Sequence, residues 1–118
     1  MIRARLESFR HAFAGVAVML RSQPNAKIHV VATLVALIGG AALGLSALEW
    51  ALLVFAIALV WVAEGLNTAL EFLADAAVPD QHPLVKNAKD VAAAAVLLAA
   101  AAAVVIAMLI MLPRFAVQ

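Results

Sequence analysis

Three long apolar stretches are the feature that most limits how this chain can fold. They cover residues 28–45, 47–73 and 91–112. Each is close to or above the roughly 20 helical residues that span the hydrocarbon core of a bilayer. With 68% of its residues hydrophobic, the chain also exceeds the apolar share of an ordinary soluble domain. The sequence therefore predicts an all-α membrane protein with three transmembrane helices in one domain, residues 1–118.

The amino-terminal segment 1–24 predicts an amphipathic helix on the membrane surface. Its large apolar residues recur every three or four positions, and basic residues project from the opposite side. A secretory signal peptide is the alternative, because basic residues precede a short apolar run at 12–20. No small-residue cleavage site follows that run, so we expect the helix to stay in the mature protein.

The basic residues predict an orientation across the membrane. Five Lys and Arg residues precede the first span, two follow the second, and one follows the third. The positive-inside rule then places the amino terminus and the loop 75–89 in the cytoplasm and the carboxyl terminus outside. The chain has no cysteine, which excludes thiolate metal sites, and its net charge of +1 gives no sign of nucleic-acid binding.

A polar stripe interrupts the second span. Glu64, Asn67, Thr68, Glu71 and Asp75 fall within an arc of about 100° on a helix, so they share one face. Ionisable side chains at membrane depth are costly unless they are paired, hydrated or bound to a cation, and they mark functional sites. Because three short spans offer few neighbours to shelter this face, the sequence also predicts a homo-oligomer with sites between protomers.

The spacing of the acidic residues indicates a chemistry. Glu64 and Glu71 lie two turns apart, roughly 10 Å along the helix, so the stripe can hold a metal at one end and a base at the other. Lys89 and Asp90 open the third span, where the helix amides and a lysine favour phosphate. These groups are what phosphoryl transfer in a membrane kinase requires. A structural polar seam and a small proton-coupled transporter or channel stay open as alternatives.

Two sequence blocks resemble the signature of the prokaryotic diacylglycerol kinase family. They are Glu-Gly-Leu-Asn-Thr-Ala-Leu-Glu at 64–71 and His-Pro-Leu-Val-Lys-Asn-Ala-Lys-Asp-Val-Ala at 82–92, and similarity extends from about residue 8 to Pro113. The resemblance implies a small kinase of the bacterial inner membrane that assembles as a homotrimer with active sites between subunits. It also implies ATP as the phosphoryl donor, Mg²⁺ as the cofactor and a membrane lipid as the acceptor.

The resemblance further implies roles for individual residues. Glu64 would be the general base for the lipid hydroxyl, Asn67 would orient the reacting groups, and Glu71 would bind Mg²⁺. Residues that would contact the nucleotide are Asp75, Asp80, Gln81, His82, Lys89 and Asp90, with His11 on the surface helix. His29 is interpreted as a helix-end residue, because no ligand spacing supports a metal pair between it and His82.

One position departs from the family pattern. The family commonly places a second metal-binding glutamate just before the first span, where this chain has Gln23. An amide oxygen can bind Mg²⁺ but brings no charge. We therefore expect either weaker metal binding by Gln23 or a metal site that Glu71 carries alone.

The resemblance leaves two acceptor lipids, because the family includes undecaprenol kinases and diacylglycerol kinases. The short amino terminus, the block 25–29 and the loop 79–83 are more similar to the undecaprenol kinase branch. We therefore expect undecaprenol as the acceptor, with diacylglycerol as the alternative.

Overall fold

A computed structural model describes residues 1–116, which form four helices. They are α1 (Ile2–Ser22), α2 (Pro24–Leu43), α3 (Ala47–Ala77) and α4 (Pro83–Ala116). The last three are each long and apolar enough to cross a membrane. The predicted all-α architecture, an amphipathic helix followed by three candidate spans, is confirmed.

The break between α1 and α2 is a single residue, Gln23, whose backbone is extended at φ −112° and ψ 117°. Pro24 explains this break, because its ring disfavours helical backbone in the preceding residue while the proline itself fits the first turn of a helix. The second helix therefore begins four residues before the predicted first span, 28–45. The break also lets the side chain of Gln23 reach Glu71 in α3.

Residues 44–46 connect α2 to α3, and the two helices run antiparallel. Gly44 ends α2 with a φ of 67°, a left-handed conformation that suits glycine. Ser46 and Glu49 then form a capping box at the start of α3, with N–H···O distances of 3.0 and 3.2 Å. We call this side of the molecule the hairpin end. The opposite side, with residues 78–82 and the α1–α2 break, is the loop end.

A stripe of residues on α3 packs against α4. Its buried members follow the helical repeat of three or four positions, with Asn67 and Thr68 together at the last step: Leu53, Ala56, Val60, Glu64, Asn67 and Thr68. The buried residues of α4 are Val96, Ala99 and Ile110. Alanine occupies most positions between 92 and 103, which lets the two helix backbones approach closely. The polar members of the stripe thus continue the buried apolar face of α3.

An ion pair ties α4 to the start of α3 at the hairpin end. The two terminal nitrogens of Arg114 donate to the two carboxylate oxygens of Glu49, at 2.6 and 2.5 Å. The same arginine donates to the backbone carbonyl of Ile110 at 2.8 Å. Because Glu49 also caps α3, one carboxylate joins the ends of two helices. This contact also shows that α4 runs antiparallel to α3.

The connection between α3 and α4 is shorter than the predicted loop 75–89, because only residues 78–82 lack helical backbone. Val78 leaves the helix at φ −134° and ψ 78°, as expected for a residue that precedes proline. Pro83 fits the first turn of α4, and neither glycine nor proline occurs between residues 84 and 112. Lys89 therefore lies inside a helix and not in a loop.

Most of the apolar surface of the three spans faces outward. In the most apolar 18-residue window of each span, 11, 22 and 17% of the residues are buried. Helix α1 adds to this surface, since Leu6, Phe9 and Phe13 are each more than 60% exposed. Apolar surface of this extent is stable against lipid or another protein, not against water. The chain is therefore a multi-pass membrane protein.

Candidate active site

Glu64 is fully buried, at 0% exposure, although its side chain is ionisable. His29 of α2 contacts it, with 3.2 Å between His29 Nε2 and Glu64 Oε2. The other carboxylate oxygen, Oε1, is buried and has no hydrogen-bond partner among the described residues. Burying a carboxylate is costly unless it is bonded. The free oxygen therefore marks a place where a donor group can bind.

This burial contradicts the expectation that a single chain has too few neighbours to shelter Glu64 on every side, although Glu71 is half-buried and Asp75 is exposed. Residues from α2, α3 and α4 of one chain surround Glu64 and enclose it completely. The alanines of α4 make this possible, because they bring that helix close to the carboxylate. Shelter of Glu64 is therefore no argument for an oligomer.

His29 is itself held by two neighbours. Its backbone carbonyl accepts a 2.6 Å hydrogen bond from the Thr33 hydroxyl, and that hydroxyl accepts one of 3.0 Å from the indole N–H of Trp61. The Trp61 ring lies edge-on to the imidazole, with 5.9 Å between the centroids and 69° between the planes. His29 thus joins two spans at the site, which its interpretation as a helix-end residue missed.

A signal for this pairing exists in the sequence. His29 and Thr33 are four residues apart on α2, and Trp61 and Glu64 are three residues apart on α3. Each spacing places its two members on one helix face. The sequence does not show the offset between α2 and α3 along their axes, and this offset brings the two faces together.

Glu71 lies two turns from Glu64 toward the loop end, and its two oxygens accept hydrogen bonds from two amides. Gln23 Nε2 is 3.2 Å from Glu71 Oε2, and Asn67 Nδ2 is 3.4 Å from Oε1. The amide oxygen of Asn67 is buried and has no partner among residues 1–116. One side chain from the α1–α2 break and one from the preceding turn of α3 therefore converge on the Glu71 carboxylate.

Gln23 and Glu71 fit a magnesium ion. The oxygen and the NH2 group of an amide are nearly equal in size, and a half-turn of the Gln23 amide would direct its oxygen toward the space beside Glu71, while Asn67 keeps its hydrogen bond to Glu71. Mg²⁺ prefers oxygen ligands and commonly keeps waters or phosphate oxygens as well. Within the described part of the chain, no group of three His, Cys, Asp or Glu side chains converges. A metal here would therefore have one charged protein ligand.

A cavity of about 230 Å³ opens beside Glu64 and Asn67. Its remaining lining comes from α2 and from the apolar face of α4: Asn25, Ile28, His29, Ala93, Val96, Leu97 and Ala100. The two buried oxygens without partners, Glu64 Oε1 and Asn67 Oδ1, belong to residues of this cavity. It therefore offers two hydrogen-bond acceptors in largely apolar surroundings, which suits the hydroxyl of a lipid.

A second cavity, of about 690 Å³, lies at the loop end around residues 78–82. Four of its charged side chains form two ion pairs, Lys89 with Asp75 at 2.5 Å and Lys86 with Asp90 at 2.6 Å. The loop contributes three further polar residues, Asp80, Gln81 and His82. Two lysines beside the first turns of a long helix suit a phosphate-bearing ligand such as a nucleotide.

Local hydrogen bonds order the start of α4. His82 Nδ1 accepts a 3.1 Å bond from the backbone N–H of Leu84, and the His82 carbonyl accepts one of 3.0 Å from the backbone N–H of Lys86. The Lys86 side chain lies in the polar first turns of α4, before the apolar stretch 91–112. The hydrogen bond to Asp90, together with its charge, raises the pKa of Lys86 above the ordinary 10.5. Lys86 is therefore positively charged at neutral pH.

The predicted site residues fall into two groups. One group, Glu64, Asn67, Glu71 and Gln23, follows α3, and the other, Asp75, Asp80, Gln81, His82, Lys89 and Asp90, lines the loop-end cavity. Asp75 is one turn beyond Glu71, about 6 Å along α3, so the two groups adjoin. His11 is exposed on α1 and lines neither cavity.

An apolar groove of about 770 Å³ lies between α1 and the first two spans. Its lining includes Val16, Met19, Trp61, Ala69 and Phe72. Trp61 also contacts His29, so the groove and the Glu64 cavity share the segment of α3 that holds the histidine. The predominantly apolar lining of the groove suits a lipid chain.

The chain is similar over most of its length to known proteins. Residues 10–111 match a family model described as Prokaryotic diacylglycerol kinase. The chain is 38% identical over 108 residues to an undecaprenol kinase of Bacillus subtilis. The aligned residues make up 92% of this chain and 88% of that protein. It is 43% identical over 89 residues to a diacylglycerol kinase of Synechocystis sp., which covers 75% of this chain and 51% of that protein. The match thus spans nearly all of the first relative and about half of the second.

Proposed function

The chain belongs to the prokaryotic diacylglycerol kinase family, and from this premise we propose that it phosphorylates undecaprenol with Mg²⁺ and ATP. Members of the family are lipid kinases, so the chain is a membrane-bound lipid kinase. The observation that carries the proposal is the fully buried carboxylate of Glu64, one oxygen of which is free beside a cavity. Such a group is suited to take a proton from an alcohol away from bulk water.

In the proposed reaction the lipid hydroxyl lies in the cavity beside Glu64. Its proton passes to Glu64 Oε1, and its oxygen forms a bond to the γ-phosphorus of ATP. The bond between that phosphorus and the bridging oxygen of ADP breaks at the same time. Asn67 orients the hydroxyl through the oxygen that has no other partner. The products are the phosphorylated lipid and ADP, with the proton on Glu64.

The loop-end cavity is the proposed nucleotide site. Lys89 would contact a phosphate there, in competition with its present partner Asp75. Gln23 and Glu71 would hold Mg²⁺, which when bound neutralises phosphate charge. The loop residues Asp80, Gln81 and His82 and the neighbouring Asp90 would surround the rest of the nucleotide. His11 lines neither cavity, so in this proposal it would act from a neighbouring protomer.

Undecaprenol is the proposed acceptor because one relative is named an undecaprenol kinase, and the chain matches 88% of that relative's length. The apolar groove between α1 and the spans would take part of the long isoprenoid chain. Diacylglycerol is the second candidate, since another relative is named a diacylglycerol kinase. Both lipids present a primary hydroxyl at headgroup level, so the same base would serve either one.

We further propose that the loop end faces the cytoplasm across a bacterial inner membrane, with the amino terminus inside and the carboxyl terminus outside. Lys27, Lys86 and Lys89 lie at the loop end, whereas Arg114 at the hairpin end is paired with Glu49. ATP would then reach the loop-end cavity directly. A homotrimer would cover part of the apolar surface that a single chain leaves outward.

The test is transfer of the labelled γ-phosphate from Mg²⁺-ATP to undecaprenol and to diacylglycerol, each presented alone in mixed micelles. We expect product from undecaprenol. Product from diacylglycerol alone would select the second candidate. Absence of product from both, with folded protein, would contradict the proposed function.

Glu64→Gln is the matched control, because it keeps the shape of the side chain and removes the base. We expect it to lower kcat by a factor of about 10² to 10⁴, the usual contribution of a general base. Size-exclusion chromatography shows whether the variant assembles as the parent does. Parent-like turnover in Glu64→Gln would remove this residue from the role of base.

A further inference from the structure

We infer that His29 is a positioning residue that holds one oxygen of Glu64, so that the other oxygen alone faces the reacting hydroxyl. The inference rests on the proposed role of Glu64 as general base. Its geometric basis is the asymmetry of the carboxylate, in which Oε2 lies 3.2 Å from His29 Nε2 while Oε1 is buried without a partner. One oxygen is thus fixed and the other is free.

The contact requires one particular arrangement of hydrogens. An ionised carboxylate only accepts hydrogen bonds, so the Nε2 atom of His29 must carry the hydrogen. After Glu64 takes a proton on Oε1, its Oε2 atom still accepts from the same N–H. The hydrogen bond therefore persists before and after the proton transfer, and it sets the direction of the carboxylate without occupying its basic oxygen.

The imidazole that makes this contact is held in orientation. The Thr33 hydroxyl uses both of its functions, because it donates to the His29 carbonyl and accepts from the indole of Trp61. The indole edge packs against the imidazole and limits its rotation. Trp61 is three residues before Glu64 on the same helix. The group that orients the histidine and the group that the histidine orients therefore belong to one rigid segment of α3.

Within residues 1–116, His29 is the one side chain that hydrogen bonds to the Glu64 carboxylate. Replacing it by a side chain without a donor would leave a fully buried carboxylate with neither oxygen bonded. Such a group is expensive to bury, and its direction is no longer set. The loss should appear in kcat, since the proposed binding groups for ATP lie at the loop end.

His29→Gln and His29→Met form the matched pair for the test. Glutamine and methionine are similar in length and volume, but glutamine alone supplies an N–H donor near the position of Nε2. We expect His29→Met to lower kcat by about 10² with the KM for ATP within about twofold of the parent. We expect the kcat of His29→Gln to exceed that of His29→Met by at least about tenfold. Equal kcat values in the two variants would overturn the inference.

Chemical rescue gives a second readout that a purely structural role would not move. His29→Ala leaves space beside a cavity of about 230 Å³ in which free imidazole can bind. We expect added imidazole to raise the kcat of His29→Ala and to leave that of the parent unchanged. Val31→Leu, on the exposed side of the same helix, controls for substitution in α2. If imidazole fails to activate folded His29→Ala, the proposed contact is not the reason for its loss of activity.

Glu64→Gln in the same assays separates this inference from the proposed function. If Glu64→Gln is inactive and His29→Met keeps the parent kcat, Glu64 remains the proposed base and the positioning role of His29 is wrong. If Glu64→Gln is as active as the parent, the proposed function itself falls, whatever the His29 variants do. The two failures are therefore distinguishable.

Discussion

The side-chain amide of Gln23 donates to the carboxylate of Glu71 over 3.2 Å, although 48 residues separate the two along the chain. The contact exists because Pro24 interrupts the helices at this point and Gln23 is the one residue in the break. A carboxylate in place of this amide would face Glu71 with the same charge and attract a cation between them. We therefore expect this one side chain to set how strongly the site binds Mg²⁺.

Gln23→Glu should lower the Mg²⁺ concentration for half-maximal activity by about tenfold, because a second anionic ligand adds of the order of 1.4 kcal/mol of attraction. Without the metal the two carboxylates should repel each other and lower the melting temperature. Titration of activity with Mg²⁺, and melting with and without the ion, measure both effects. Gln23→Met, which has similar length and no ligand oxygen, is the control. An unchanged Mg²⁺ dependence in Gln23→Glu would contradict the proposed metal site.

Lys89→Met should raise the KM for ATP by about tenfold or more, because it removes a charge-assisted contact with phosphate. Lys86→Met is the control, since this lysine lines the same cavity but its side chain is 76% exposed, against 37% for Lys89. Contacts of a more exposed charge are screened more strongly by water, so its effect should be smaller. The two KM values are measured with saturating lipid. Equal effects would indicate that the nucleotide does not depend on Lys89 in particular.

Gly40→Ala should destabilise the fold by about 1–3 kcal/mol through overpacking. A methyl group there would lie 2.8 Å from the Trp50 ring and 3.0 Å from Leu45, whereas one at Gly39 would meet Met111 at 3.8 Å. Gly39→Ala is therefore the control, and its higher helix propensity should leave stability equal or slightly raised. Unfolding in mixed detergent micelles compares the two variants. Similar stabilities would show that the Trp50 ring can move aside.

Arg114→Met should lower the melting temperature, because it leaves Glu49 without the two hydrogen bonds that join α4 to α3. Arg114→Lys should lie between the parent and Arg114→Met, since it keeps the charge and loses the planar fork. Both should keep the parent kcat, because Glu49 is about 22 Å from Glu64 along α3. If Arg114→Met melts at the parent temperature, the ion pair adds nothing to stability.

Ala69→Trp should raise the KM for the lipid and leave the KM for ATP unchanged, because it fills the apolar groove between α1 and the spans. Ala58→Trp places the same side chain on an exposed part of α3 outside that groove, and it serves as the control. Kinetics with each substrate varied in turn separate the two constants. A parent-like KM for the lipid in Ala69→Trp would place the lipid chain elsewhere.

The number and type of the helices were predictable because a membrane allows few alternatives. In lipid a chain must satisfy its own backbone hydrogen bonds, and an apolar stretch of about 20 residues does so as a helix. The helix ends were less predictable. The apolar pattern of the last span begins near residue 91, whereas α4 already begins at Pro83 and passes through polar turns. The apolar stretch thus reflects the thickness of the membrane, whereas prolines mark where α2 and α4 begin.

The polar stripe was predictable because all of its residues lie on one helix. Its partner on α2, His29, was not predictable because the contact joins two helices. Residues 64–75 belong to one helix, so helical periodicity places their polar members on one face before any tertiary contact is known. His29 belongs to another helix, and its contact with Glu64 depends on the offset between two antiparallel spans. The hairpin turn and the close packing of Gly40 against Trp50 fix that offset. No local sequence pattern records it.

Because the break at Gln23 is a single residue, the two contacts of the site depend on the lengths of segments 23–29 and 64–71 more than on their composition. Six positions on α2 lead from Gln23 to His29, and seven on α3 lead back from Glu71 to Glu64, so both ends of the site come into contact together. A substitution within either segment changes one side chain. An inserted or deleted residue would turn everything beyond it by about 100° and leave one of the two contacts unmade. These segments can therefore tolerate substitutions far better than insertions or deletions.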